Sequence, residues 1–196
     1  NVIYRGEKKP LNQYSLLSED NSILKIFKSL SESILNTHFN NKFTDYPSFP
    51  DLRYPIEKHN FDQRIKDALK KIVNPDKPNS DGEAILKGLN LLNGNYIDIS
   101  NSKYCFDLIK KLNNIDERTV INRTDLLYTH FEEQNLYYSK DSDLDYRLFF
   151  VLLAAMVFKG EIEIYYSRDK VINASNLNLL LNLKDEDFFS YQFIRK

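Results

Sequence analysis

The longest apolar run of the chain is Leu148–Phe158, eleven consecutive residues without a polar side chain. Asp143 and Asp145 precede the run and Gly160 follows it, which predicts a helix from near Ser142 to Gly160. A helix that is apolar on every side is buried on every side. The run is also shorter than the roughly 20 residues that cross a bilayer. We therefore predict a core helix and no membrane span.

Apolar positions with helical spacing predict two helices in the first half of the chain. The first covers about Asn21–Asn36, and its apolar stripe is expected to be buried: Ile23, Phe27, Leu30 and Ile34. The second covers about Phe61–Val73. Between them, the segment YPSFPDLRYP combines prolines with aromatic rings. This composition favours an ordered extended segment whose rings pack on a neighbouring surface.

A linker between two domains is predicted at residues 75–81, where prolines and turn formers replace apolar residues. The chain then divides into a helical region with the aromatic and proline-rich segment, residues 1–74, and a second domain, residues 82–196. A helix that begins at Ser80 or Asp81 is expected to end at Asn93–Gly94, where glycine supplies a left-handed residue.

The segment from Ser102 to Ala174 predicts the order helix, short strand, helix, helix, strand, turn, strand. The sequence VINRTDLL forms the first strand and turns directly into a helix that Asn122 caps, with Asp125 three residues on. This is the element order of a winged-helix domain. We predict an α+β fold that is mainly α with a small β-hairpin: a helical N-terminal part followed by a winged-helix-like C-terminal part.

The composition of the apolar run argues against DNA reading by such a domain. A DNA-reading winged helix presents polar and basic side chains from the helix before the wing, whereas Leu148–Phe158 presents apolar ones. The chain carries 27 basic and 28 acidic residues, a net charge of -1. It therefore lacks the excess of positive charge that strong nucleic-acid binding requires. A DNA-binding module remains the alternative, with these residues on phosphates: Arg118, Arg123, Arg168 and Lys170.

Familiar catalytic and metal motifs fail on inspection. The acids of DSDLD resemble the start of an EF-hand loop, but Tyr146 and Leu152 stand where glycine and a bidentate acid are required. No GxxxxGK[ST] motif is present. A hydrolase or nuclease, the third functional class, would need its acids and a histidine to converge: Asp141, Asp143, His130 and Glu133. We expect no cofactor, no metal and no catalysis, and Cys105 is expected to be a buried hydrophobe in a cytoplasmic protein.

Several stretches resemble one protein family: YPSFPDL, VINRTDLL, LAAMVFKGEIEI and INASNLNLL. They are similar to the non-ATPase region of the large PglY-like proteins of bacteriophage exclusion (BREX-type) defence systems. The resemblance implies a chain several times longer, with a P-loop ATPase region toward its N-terminus. It carries over no catalytic residue, because the Walker residues have no counterpart here. The first residue is Asn1 and the sole methionine is Met156, which also favours a fragment of a longer protein.

These observations favour an interaction or scaffold fragment of a phage-defence ATPase, which positions the motor or its partners. The expected partners are the rest of its own parent chain and other proteins of the defence system. DNA is the alternative partner, and we expect no membrane.

Overall fold

The computed structural model describes residues 2–4, 7–10, 23–116, 119–129, 136–183 and 187–196. The chain forms two compact units, residues 1–46 and 47–196.

The first unit contains a short antiparallel hairpin and one long helix. The hairpin pairs β1 (Val2–Tyr4) with β2 (Glu7–Lys9), and helix α1 covers Ile23–Lys42. At the end of α1, the ring of Phe39 packs edge-on against Tyr46, with 5.1 Å between the ring centroids. The predicted burial of the α1 stripe is wrong at Phe27, whose side chain is 61% exposed.

The second unit begins with two closely packed helices, α2 (Phe61–Val73) and α3 (Ser80–Gly88). Glycine allows this approach, because a Cβ on Gly82 would lie 2.3 Å from the carbonyl oxygen of Asp67. Asn79 joins the two helices. Its side chain donates to the Asp67 carbonyl at 2.9 Å and accepts the backbone N–H of Gly82 at 3.0 Å, which caps α3.

The connection between α2 and α3 is held by buried polar side chains. Lys71 is 7% exposed and donates to the carbonyls of Pro75, at 2.7 Å, and Lys77, at 3.3 Å. Arg64, 8% exposed, forms an ion pair with Asp81. Residues 75–81, where the sequence predicts a linker, therefore lie inside the second unit as a structured connection, and the two compact units divide earlier, after Tyr46.

A short β-hairpin with a two-residue turn comes after α3. Strands β3 (Leu92–Asn93) and β4 (Tyr96–Ile97) form a hairpin, and Gly94 lies in its turn at φ +60°. The prediction that the helix continues to Asn93–Gly94 is wrong. Helix α3 ends at Gly88, and the left-handed residue that follows it is Asn90, at φ +55°. Gly94 closes the β3–β4 hairpin instead.

The next elements follow the predicted order with one addition. Helix α4 covers Lys103–Asn113, strand β5 covers Val120–Asn122 and helix α5 covers Arg123–Leu126. The backbone N–H of Asn122 donates to the Asp125 carboxylate at 3.3 Å, which confirms the predicted role of Asp125 at this helix start. An antiparallel hairpin not anticipated from the sequence, β6 (Leu127–Thr129) with β7 (Leu136–Ser139), then precedes the core helix.

Helix α6 (Tyr146–Phe158) is the core of the second unit. All ten residues from Leu148 to Val157 are buried. The helix packs against α2, β7, strand β8 (Glu163–Tyr165) and the 3₁₀ helix Leu177–Asn182, so it has no solvent side. The prediction of a core helix is confirmed. No helix within the described ranges has the length and apolar content to cross a bilayer.

A four-stranded antiparallel sheet completes the second unit. Its strand order is β5, β10 (Phe193–Arg195), β8 and β9 (Val171–Ile172), so the C-terminal strand lies between β5 and β8. The inner face is apolar and buried, with one residue from each strand: Ile121, Ile194, Ile164 and Ile172. The α+β class is confirmed, and the described residues contain three further two-stranded sheets besides this one.

Candidate functional site

The structure describes three of the four basic residues predicted as a DNA contact. Arg118 lies outside the described residues. Arg123 is half-buried, and its guanidinium donates to the backbone carbonyl of Phe189 at 2.6 Å. Arg168 and Lys170 are exposed in the turn between β8 and β9. Arg123 therefore stabilises the fold, while the other two described residues face solvent.

The strand register fixes where these residues lie on the sheet. Asn122, Phe193, Tyr165 and Val171 form one row across the four strands. Arg123 follows this row on the β5 edge and the β8–β9 turn follows it on the β9 edge. The two edges are separated by three strand spacings, about 14 Å at about 4.8 Å each. They share one end of the sheet without forming a single cluster.

In the predicted element order, α6 is the helix that precedes the β8–β9 hairpin, and its residues from Leu148 to Val157 are all buried. Phe150 lies at the centre of an aromatic cluster with Phe188, Phe189 and Tyr191, at centroid distances of 6.2, 5.4 and 6.0 Å. These contacts use the side chains that a reading helix would present to base edges. Helix α6 is thus unavailable for groove binding in this fold.

The two described acids of the predicted hydrolase cluster lie in the turn before α6. Asp141 pairs with Lys111 at 3.5 Å, and Asp143 is exposed, with its backbone in the left-handed region at φ +52°. Asp145 caps α6 by accepting the backbone N–H of Arg147 at 2.9 Å, and the Arg147 guanidinium also donates to it at 2.9 Å. His130 and Glu133 lie outside the described residues. Among the residues that are described, no three His, Cys, Asp or Glu side chains are placed to hold a metal ion.

The outer face of the four-stranded sheet carries a connected polar group. Glu163 accepts a hydrogen bond from the Tyr165 hydroxyl at 2.6 Å and another from the Arg195 guanidinium at 2.8 Å. The Tyr165 bond is the main cause that lowers the pKa of Glu163. The ring of Phe193 stacks on Tyr165 at 4.6 Å. The charged groups and the rings of this face therefore contact one another. Such an arrangement is typical of a solvated sheet face and not of a reactive centre.

A shallow pocket of about 240 Å³ lies beside α3 and is lined by Pro50, Asp51, Lys87 and Asn90 among others. Its cation is already neutralised, because Lys87 pairs with Glu83 at 3.1 Å and with Asp51 at 3.5 Å. The hydrogen bond to Glu83 is the largest cause that raises the pKa of Lys87. The described residues that line this pocket offer no unpaired charge to a ligand.

Exposed aromatic side chains are the feature of this unit that the sequence analysis missed. Tyr96 at the β3–β4 turn is 80% exposed, and Phe106 on α4 is 65% exposed. On the β6–β7 hairpin, Tyr128 and Tyr138 are 53% and 51% exposed. The signal for Phe106 is present in the sequence, because it falls among Lys103, Asp107 and Lys110 and outside the apolar stripe of α4.

Comparison with known proteins identifies one family. A family model described as "Family of unknown function (DUF6079) 4th domain" matches residues 61–196, which is more than half of the chain. Neither the curated proteins nor the solved structures contain a match to this chain. The matched region begins at the first residue of α2 and contains α6 and the four-stranded sheet. The chain therefore belongs to the DUF6079 family, through the domain that its description numbers as the fourth.

Proposed function

We propose that this chain is a non-catalytic interaction domain of a larger, multidomain phage-defence ATPase, in which it positions the motor or partner proteins. The family description supports the multidomain setting, because a domain numbered fourth belongs to proteins with other domains. The sequence resemblance to the non-ATPase region of PglY-like proteins supplies the setting of BREX-type phage defence in the cytoplasm.

One observation carries the proposal: the exposed aromatic side chains of the second unit, led by Tyr96 and Phe106. Aromatic residues are enriched in the energetic centres of protein interfaces, where they bury a large area with few rotatable bonds. The polar groups that might support chemistry are instead paired within the fold, as for Glu163 and Asp145. Exposed rings, together with polar groups such as Glu163 and Asp145 that are paired within the fold, favour protein contact over catalysis.

The fold of this domain is proposed to be a winged helix adapted to protein contact. The order α4, β5, α5, α6, β8, β9 supports this assignment. The adaptation consists of the β6–β7 hairpin between α5 and α6, the inward α6, and strand β10 in the middle of the sheet.

The test compares protein binding with DNA binding. The 196-residue chain is immobilised, and its association with the remainder of its parent polypeptide is measured by biolayer interferometry. Phe106→Lys is the test variant. The matched control is Asp107→Lys, which adds the same side chain at the neighbouring exposed position of α4. DNA binding is measured by fluorescence anisotropy at about 50 and 200 mM salt, where phosphate-driven affinity changes strongly.

We expect association with the remainder of the polypeptide that Phe106→Lys weakens about ten-fold or more, as for a residue at an interface centre, and that Asp107→Lys leaves within about two-fold. Salt-sensitive DNA binding at micromolar protein, without association with the polypeptide, would overturn the proposal in favour of the DNA-binding module. In that case Arg168 and Lys170 become the first residues to replace.

A further inference from the structure

The segment before α2 contacts the C-terminal end of α3. We use the term "strap" for residues 47–54, which open the second compact unit and precede the matched region 61–196. A Cβ on Gly88 would collide with the ring of Phe49 and would lie 2.5 Å from the carbonyl oxygen of Ser48. The strap therefore lies on α3 at a position where only glycine leaves room.

The backbone of Gly88 does not itself require glycine. Its φ lies outside the left-handed region, in contrast to Gly94 and Gly160. At such a position in a helix, alanine is the better helix former. The close approach of the strap is what the missing side chain of Gly88 allows.

Few side chains hold the strap. Pro47 is buried, Phe49 and Leu52 are half-buried, and the other five are exposed: Ser48, Pro50, Asp51, Arg53 and Tyr54. Asp51 pairs with Lys87 at 3.5 Å, but both side chains are more than half exposed, so the pair contributes little. A segment with few buried apolar side chains opens locally at a lower free energy than the core beside it.

The end of the strap that leads to α2 is anchored by a separate turn, residues 55–60. The side chain of Asn60 accepts the backbone N–H of Glu57 at 2.8 Å and donates to the carbonyl of Pro55 at 3.0 Å. Helix α2 begins at the next residue, Phe61. This turn gives the strap a fixed point beside α2.

The strap and α3 together line the pocket of about 240 Å³. Ser48, Pro50 and Asp51 form one side of it, and the other side consists of Ala84, Lys87, Gly88 and Asn90. We propose that the strap opens and closes over α3 as a unit, pivoting at the turn 55–60, while α2 and α3 stay folded. Closure forms the pocket, and opening removes one wall and uncovers Gly88. This device goes beyond the proposed function, because it does not depend on the exposed rings that carry that function.

Native-state proteolysis by trypsin tests the proposal in the 196-residue chain. Cleavage after Arg53, inside the strap, is followed by mass spectrometry as urea is raised to concentrations below the unfolding transition. Local opening exposes little surface, so its rate depends weakly on urea, whereas cleavage through global unfolding depends on urea strongly. Circular dichroism measures global unfolding of the same proteins.

Phe49→Ala and Gly88→Ala are the test variants, alone and combined. Phe106→Ala is the control for the first, because it removes the same ring at an exposed position of α4. Gly94→Ala is the control for the second. Its Cβ would meet nothing within 4 Å and its φ is +60°, so it destabilises the chain by backbone strain without contact to the strap.

We expect cleavage after Arg53 to depend weakly on urea in the wild type. Each test variant should raise its rate about five-fold or more, as for the loss of a half-buried ring. The combined variant should be cleaved at the rate of the faster single variant, because both substitutions break one contact. The controls should stay within about two-fold of the wild type.

Two results would overturn the proposal. If cleavage after Arg53 rises with urea as steeply as global unfolding, the strap opens only together with the whole unit. If the test variants are cleaved at the rate of their controls, the strap is not held at Gly88. Phe49→Ala decides alone if Gly88→Ala does not fold.

Discussion

Replacement of Gly82 by alanine tests the packing of α3 on α2. In an open helix the change stabilises by about 1 kcal/mol, because alanine is the better helix former. Here the new Cβ would lie 2.3 Å from the Asp67 carbonyl oxygen, 2.8 Å from the carbonyl carbon and 3.0 Å from the Cβ of Lys71. The first two atoms belong to the backbone of α2 and cannot rotate away. The helices must therefore separate.

The magnitude follows from what the separation disrupts. Overpacking a close contact costs about 1–3 kcal/mol. The two hydrogen bonds of Asn79 that join the helices, at 2.9 and 3.0 Å, contribute about 1 kcal/mol each. After the gain in helix propensity is subtracted, we expect the free energy of unfolding to fall by about 2–4 kcal/mol. For a chain of this size that lowers the thermal midpoint by about 5–15 °C.

Circular dichroism at 222 nm during heating and in urea measures this change. Gly94→Ala is the control, because nothing lies within 4 Å of the Cβ that it would add. Its φ is +60°, so we expect it to lower the free energy of unfolding only by backbone strain, about 1–2 kcal/mol. A Gly82→Ala protein that unfolds at or above the wild-type midpoint would refute the close approach of α2 and α3.

Four further predictions concern buried side chains. Tyr166→Phe removes a hydroxyl that donates to the Phe188 carbonyl at 2.8 Å and should lower the free energy of unfolding by about 1–3 kcal/mol. Tyr191→Phe removes a buried hydroxyl without a hydrogen-bond partner among the described residues and should leave the urea midpoint unchanged or raise it; equal losses in the two variants would contradict both assignments. Leu153→Asp places a charge in the fully buried face of α6 and should unfold the second unit, since an unpaired buried charge costs several kcal/mol; an unchanged melting curve would rule out the buried position of α6. Burial raises the pKa of the Cys105 thiol from 9.0 to about 11. Because the unfolded state loses this proton first, the free energy of unfolding should fall as the pH rises from about 9 toward 11. Cys105→Ala should show a smaller fall over this range, and an identical pH profile in wild type and variant would contradict the shift.

The core was predictable because its signal is local and strong. Eleven consecutive apolar residues, Leu148–Phe158, leave a helix no solvent face, and the alternation of Ile162, Ile164 and Tyr166 indicates one buried strand face. Asn122 and Asp125 likewise identify a helix start by their spacing. In each case the residues that determine the structure are neighbours in the sequence.

The features that were missed depend on residues far apart in the sequence. The order of residues 75–81 comes from carbonyls that accept hydrogen bonds from Lys71, and a pattern of apolar positions does not report such bonds. Strand β10 is three residues long, so alternation alone does not predict its pairing between β5 and β8. The predicted stripe of α1 has the spacing of a buried face, yet Phe27 is 61% exposed. Periodicity identifies a face suited to burial without identifying the partner that buries it.

The same limit applied to the candidate site. Arg123 was selected for its charge, but its guanidinium donates to the Phe189 carbonyl, a partner 66 positions away in the chain. The exposed rings of Tyr128 and Tyr138 were not anticipated, because the hairpin that presents them was not anticipated.

Association of the chain with the remainder of its parent polypeptide is the most direct test of an interaction domain. Sedimentation velocity of the mixed proteins at micromolar concentration measures it without immobilisation. We expect a complex with a dissociation constant of about 1 μM or tighter, equivalent to about -8 kcal/mol, that forms less readily with Phe106→Lys. Separate boundaries for the two proteins at every concentration, unchanged by the substitution, would contradict the assignment of this chain as an interaction domain.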